Sequence, residues 1–205
     1  YSLANGVSNP LVTTTIRKKR VNSLYFMANL AYQEMLFLDI TGRNDWSSTL
    51  PRKNRSFFYP SVGLSAVLNS MMKMPKWMNL LKVRASWAQV GNDTQPYKTS
   101  PYYTTSDFSG SLVKPGTLYN ADFKPEMSTN WEGGLDFKAF GSRLGLDVTY
   151  YYNRTKNQIL NAPFDPTTGY TKGTINSGCV SNRGVEIVLR GTPVKTKDWQ
   201  WDMTA

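Results

Sequence analysis

WEGGLDFKAFGSRLGLDVTYYY, residues 131–152, reads as two strands and a turn. Trp131, Gly133, Leu135, Phe137 and Ala139 fall on one side of an extended chain. Glu132, Gly134, Asp136 and Lys138 fall on the other, because successive side chains of a strand alternate. After Phe140-Gly141-Ser142-Arg143 the rhythm resumes. Leu144, Leu146, Val148, Tyr150 and Tyr152 oppose Gly145, Asp147, Thr149 and Tyr151. A helical period would scatter these sets around a cylinder. The spacing predicts an antiparallel hairpin with a tight turn at residues 140–143.

The same alternation recurs on both sides of this hairpin. Leu24, Phe26, Ala28, Leu30 and Tyr32 alternate with Tyr25, Met27, Asn29 and Ala31. Leu36, Leu38 and Ile40 follow a short turn near Gln33 and Glu34. Val62, Leu64, Ala66 and Leu68 oppose Ser61, Gly63, Ser65 and Val67, and Leu81, Val83, Ala85 and Trp87 oppose Lys82, Arg84, Ser86 and Ala88. Val185, Ile187 and Leu189 oppose Glu186, Val188 and Arg190, and Trp199 and Trp201 open a last strand that the chain end is expected to cut off. These make about eight strands, many with room for the roughly 9–11 residues that cross a bilayer at a tilt. Strands of soluble domains usually run about 5–6.

Connection lengths alternate as well. Short ones are expected near residues 33–34, 140–143 and 191–198. A moderate one at 69–80 has a helical turn expected at Pro75-Lys76-Trp77-Met78. Long, polar ones are expected at 44–58, 92–128 and about 161–173, with Gly91 and Asn92 ending a strand at positive φ. Long loops at one end and short turns at the other are the habit of outer-membrane barrels. On that logic the strand from Val21 runs inward and the strand from Met35 outward. Rings gather near strand ends, as interfacial girdles do: Trp46, Phe57, Phe58 and Tyr59 at one end, Trp77 and Phe140 at the other.

Composition bounds the chemistry. Of 205 residues 13% are aromatic while hydrophobic residues total only 40%, a mixture that suits strands wet on one face and apolar on the other. There is no His, which excludes an imidazole base, switch or metal ligand. Cys179 is the only cysteine, so no intrachain disulfide forms. The net charge is +10, but Arg17–Arg20, the bases of 52–55 and the pair Lys73 and Lys76 sit in separate connections, which disfavours nucleic acid. No apolar run approaches the roughly 18 residues of a membrane helix. No signal peptide opens the chain, so for an exported barrel the true N-terminus is expected elsewhere. No nucleophile–base pair, phosphate loop or metal cluster is evident, so no catalytic residue, metal or cofactor is expected.

Alternation alone fits a soluble sandwich as well as a barrel. Several long strings, in order, carry more. TGRNDWSSTLP (41–51), FFYPSVGLSAVL (57–68), LLKVRASWAQVGNDTQPY (80–97), NWEGGLDFKAFGSRLGLDVTYY (130–151) and INSGCVSNRGVEIVLRGTP (175–193) resemble the SusC/RagA type of TonB-dependent outer-membrane receptor. The resemblance runs from about Val21 onward and matches the later part of that family's barrel. It implies an all-β antiparallel meander forming part of a large transmembrane β-barrel of about 22 strands around a plug domain. It implies import of oligosaccharides or oligopeptides across a Gram-negative outer membrane, driven by TonB, under a SusD-like surface lipoprotein acting as a lid. On this reading residues 1–205 form an incomplete part of one barrel domain, without the plug or the TonB-contacting N-terminal region.

Trp46, Tyr97, Tyr102, Tyr103 and Phe108 are the candidates for contact with a glycan, a peptide or the lid. They combine aromatic faces with neighbouring hydroxyls in or beside long connections. The competing reading of Trp46 is an interfacial anchor beside a turn closed by Asn44 and Asp45. Arg84, Asp136, Asp147 and Glu186 are expected to face the lumen or the plug, while Leu135, Phe137, Leu146, Val148, Ile187 and Leu189 meet lipid. The alternatives are a non-transporting surface-binding barrel and a soluble carbohydrate-binding β-sandwich.

Overall fold

A computed structural model describes residues 14, 16–105 and 110–205; Phe108 lies outside them. Eight long or terminal strands form one sheet: β1 (Val21–Tyr32), β2 (Leu36–Ser47), β3 (Ser56–Val67), β4 (Met78–Asn92), β8 (Glu126–Ala139), β9 (Leu144–Lys156), β12 (Cys179–Lys195) and β13 (Gln200–Thr204). The order in space is the order in the chain, and every pairing is antiparallel. This is the expected meander. The remaining short strands lie in the connections. They are β5 (Thr104–Thr105), β6 (Leu112–Val113), β7 (Thr117–Leu118), β10 (Ile159–Pro163) and β11 (Lys172–Asn176).

The register puts the predicted apolar residues together. Phe137 lies opposite Leu146, and Leu146 opposite Leu189; Leu135 lies opposite Val148, and Val148 opposite Ile187. One face of the sheet is therefore a continuous apolar band, and it is bare. Leu24 is 68% exposed and Ile187 62%. Among the described residues the buried apolar side chains are Leu50, Phe57, Phe123 and Ala139, and the first three belong to the connections or their edge. A sandwich would cover such a face with a second sheet. Among the described residues no second sheet covers it.

The turns carry the hairpins as expected. Gln33 and Glu34 both have positive φ (48° and 55°) in the three-residue connection between Tyr32 and Leu36, where Met35 N donates to Tyr32 O (2.9 Å), the turn whose twist matches the flanking strands. Phe140, Gly141 and Ser142 also have positive φ, and the side-chain oxygen of Asn79 accepts from the N–H of Gly141 (2.7 Å) and of Ser142 (3.1 Å). Phe140 N donates to Trp77 O (2.7 Å), so both non-glycine residues of the turn are tied down in a region where they rarely rest.

Several boundaries differ from the sequence reading. The expected connection 44–58 shrinks to 48–55, because Asn44 pairs with Phe58 and Trp46 with Ser56. Asn44 and Asp45 therefore extend a strand and close no turn. The helical turn lies at α1 (Leu68–Met71), while at Pro75 a single hydrogen bond from Met78 N (3.0 Å) closes one turn. Asn69 draws α1 onto β4 by accepting from Leu81 N. β4 ends at Asn92 as expected, but neither Gly91 nor Asn92 has positive φ, and both still pair, with Met127 and Glu126. Gly91 is required for space, since the Phe57 ring stands where a Cβ would be. Residues 191–195 belong to β12, past an irregularity between Gly191 and Val194, and the last turn is 196–199. The connections near 161–173 and 92–128 hold short strands of their own.

Candidate functional site

The polar face of the sheet holds the predicted charges in one patch. Asp136 lies between Lys82 on β4 and Asp147 on β9, and Glu186 lies opposite Thr149. Arg84 sits opposite Gly134 and crosses it to reach β9. There its guanidinium forms a two-pronged bond with Asp147 (2.6 and 3.2 Å) and donates to Thr149 Oγ1 at 2.6 Å. The crossing needs the glycine, because a Cβ at 134 would stand 2.5 Å from Arg84 Nε. Sequence reading placed Arg84 and Asp147 on one face but could not pair them across an intervening strand. Among the described residues Asp136 and Glu186 make no ion pair.

Nearer the long connections the string TGRNDWSST resolves into two faces. Arg43, Asp45, Ser47 and Thr49 form a polar row. Arg43 Nε donates to Asp45 (2.8 Å), and the Tyr59 hydroxyl donates to the other oxygen of the same carboxylate (2.6 Å). Asp45 is 6% exposed and fully engaged. Asp93 then accepts from the hydroxyls of Ser47 (2.5 Å) and Thr49 (3.2 Å) and pairs with Lys19 (2.5 Å). Trp46 falls on the opposite face with Asn22, Leu24 and Phe58. It does not share a face with the Arg43–Asp45 row.

Between these networks a groove of about 790 Å³ crosses β8, β9 and β12. Asn130, Asn153 and Asn182 lie side by side across it, with Glu132 and Tyr151 one step along. Asn153 donates to Asn130. The amide of Asn182 and the carboxylate of Glu132 have no hydrogen-bond partner among the described residues. This row was not read from the sequence, because three asparagines 23 and 29 residues apart signal nothing until the register aligns them.

The long connections join in one lobe. Phe123 is 0% exposed and packs with Leu50 and Phe57, with Tyr59 and Ile159 around them. Asn54 donates to the carbonyl of Phe123 (2.8 Å). Asn176 accepts from Lys124 N and donates to Lys124 O, both at 2.9 Å. β7 pairs in parallel with β11. On the lobe Tyr97 and Tyr102 meet edge to face with ring centres 5.7 Å apart, and Tyr103 is exposed. Among the described residues no group of three metal-binding side chains occurs.

The family profile described as "TonB dependent receptor-like, beta-barrel" matches residues 1–205. The chain is 25% identical over 195 residues to the TonB-dependent receptor SusC of Bacteroides thetaiotaomicron, covering 89% of this chain and 19% of that protein. It is 25% identical over 202 residues to TonB-dependent receptor P26 of Formosa agariphila, covering 95% and 20%. Among solved structures it superposes on a chain of the RagAB peptide transporter with a TM-score of 0.88 and 25% identity, over 98% of this chain and 23% of that one. The siderophore receptor PirA of Pseudomonas aeruginosa shares the fold at a TM-score of 0.62 and 20% identity, over 91% and 33%. The chain thus spans about a fifth of the length of the curated relatives it matches.

Proposed function

Because the chain belongs to the TonB-dependent receptor β-barrel family, matched along its whole length, we propose that it is part of one barrel domain of an outer-membrane nutrient importer in a Gram-negative bacterium. The observation that carries this reading is the single-layer sheet, apolar and bare on one face and charged and amide-rich on the other. Such a sheet is satisfied by lipid outside and water inside. Its terminal strands β1 and β13 each pair on one side only among the described residues. Unpaired edge groups in hydrocarbon each cost several kcal/mol, so neighbouring strands complete the wall.

The long connections lie outside the cell and the short turns in the periplasm. Arg84, Asp136, Asp147 and Glu186 face the lumen and bond to a plug, with the Arg84–Asp147 pair pre-formed. Substrates are oligosaccharides or oligopeptides, whose hydroxyls and amides the Asn130–Asn153–Asn182 row can both donate to and accept from. Tyr97, Tyr102, Tyr103 and Phe108 contribute to the surface that meets substrate or a SusD-like lipoprotein lid. Trp46 is set apart from that surface, since the register turns it to the side of Leu24 and Phe58. TonB supplies the energy through a region beyond this segment.

The test is growth of a host on defined oligosaccharide or peptide as its carbon or nitrogen source, with the full-length receptor intact, deleted, or present without TonB. Growth that needs both supports import. A receptor that binds its nutrient at the surface, with growth unaffected by loss of TonB, would instead be a non-transporting surface barrel.

A further inference from the structure

We propose that the outer rim of this wall carries a binding site for a phosphate-bearing lipid headgroup, built from Arg20, Arg55, Asn22 and Trp46. Residues 47 and 48 hold the two arginines by their backbones. Ser48 N donates to Arg20 O and Arg20 N to Ser48 Oγ, both at 2.9 Å, while Ser47 N donates to Arg55 O at 2.9 Å. A pocket of about 250 Å³ lies among these groups, lined by Arg20, Asn22, Trp46, Ser47, Ser48 and Arg55. Of the nearby bases, Lys19 is paired with Asp93 and Lys53 with Asp122. Among the described residues neither Arg20 nor Arg55 has a carboxylate partner. Two arginines without a carboxylate partner thus border one polar pocket, and guanidiniums suit a phosphate, which accepts several N–H bonds at once.

The position favours a lipid over a soluble anion. Arg20 extends the β1–β2 ladder by one residue, so it follows Asn22 and Leu24 onto the face that Trp46 shares. That face becomes apolar at once: Leu24, Phe26 and Phe58 are all exposed on it. Arg20 stands four residues beyond Leu24, about 13 Å along an extended strand. Acyl chains lying on Leu24, Phe26 and Phe58 would put a headgroup phosphate at the level of the arginines, with the Trp46 ring between chain and headgroup. This inference rests on the outer-membrane placement proposed above.

The experiment uses the full-length receptor in phosphatidylcholine nanodiscs carrying bis-phosphorylated lipid A, with lipid retention measured by native mass spectrometry. The comparisons are an Arg20→Gln/Arg55→Gln variant, a Lys73→Gln/Lys76→Gln variant that removes equal charge at the opposite end, dephosphorylated lipid A, and inorganic phosphate as competitor. Retention of the phosphorylated lipid is expected to fall about tenfold or more in the arginine variant, the effect of losing charge-assisted bonds. It should hold in the lysine variant and be weak for dephosphorylated lipid with the unaltered protein, an arm that requires no variant to fold. Equal loss in both variants, or equal retention of both lipids, overturns the proposal. Full displacement by millimolar inorganic phosphate makes this a soluble-anion site and overturns the lipid assignment. Fractionation in parallel separates the two readings. Receptor absent from the outer membrane contradicts the placement; receptor present but indifferent to the phosphorylated lipid contradicts only the site.

Discussion

Gly134 shows how one residue sets up a contact between two others. Arg84 lies over it to reach Asp147 on the next strand but one. Gly134→Val should push the guanidinium aside and act like Arg84→Gln. The pair is about one-third exposed on both sides, so its loss costs about 1 kcal/mol or less. A double-mutant cycle of Gly134→Val with Asp147→Asn, read by chemical denaturation of the refolded full-length barrel, should show non-additivity. Strict additivity would mean that the fork contributes nothing. The opposite face predicts a larger effect. Leu146→Arg is expected to cost about 2–4 kcal/mol if the site lies near mid-bilayer, with lumen-side changes costing less. An intact barrel that turned Asp147 to lipid would show the assigned facing to be inverted.

At the scale of elements, the lobe and the turns carry their own stability. Phe123 is the buried anchor of three connections. Phe123→Ala should cost about 3–5 kcal/mol locally, seen as faster amide exchange in residues 48–55, 93–125 and 157–178 while β8 and β9 stay protected. Uniform loss of protection would mean that the lobe and wall unfold as one unit. The tip of the β10–β11 hairpin offers a pH test. The Asp165 carboxylate accepts from the backbone N–H of Thr167 (2.9 Å) and from its hydroxyl (2.8 Å). The backbone bond first, and then the hydroxyl, holds its pKa below the ordinary aspartate value. A depressed pKa means that the contribution is complete above the unfolded value of about 3.9 and is lost as pH falls through the lower folded value. Protection of the Thr167 amide should therefore weaken only under acid, and Asp165→Asn should remove the pH dependence.

For the whole molecule, the lobe and the wall should be separable in function. Replacing residues 98–118 by a short linker keeps Asp93, Phe123 and Lys124, whose contacts lock the lobe, and removes Tyr102, Tyr103 and Phe108 together with β7. Loop closure depends weakly on length, so outer-membrane insertion should persist. Nutrient uptake or lid co-purification should fall. Normal growth with normal lid recovery would make the loop a surface elaboration; loss of insertion would make it part of the rim.

Strand existence, facing and sequential order were legible in this sequence because each follows from period-two alternation and turn chemistry, which are local. The hairpin of residues 131–152 needs no partner to be recognised, and its turn falls at residues 140–143 as read. Local signals also misplaced several boundaries. RNDW looked like a turn because Asn and Asp favour turns, yet pairing with β3 kept it extended. Gly91 looked chosen for positive φ, whereas the Phe57 ring explains it. The cross-strand register, the Arg84 fork, the asparagine row and the lobe core came only from the tertiary structure. Each depends on which residue of a distant strand stands opposite, and that is set by the sum of many pairings along the sheet rather than by any one stretch of chain.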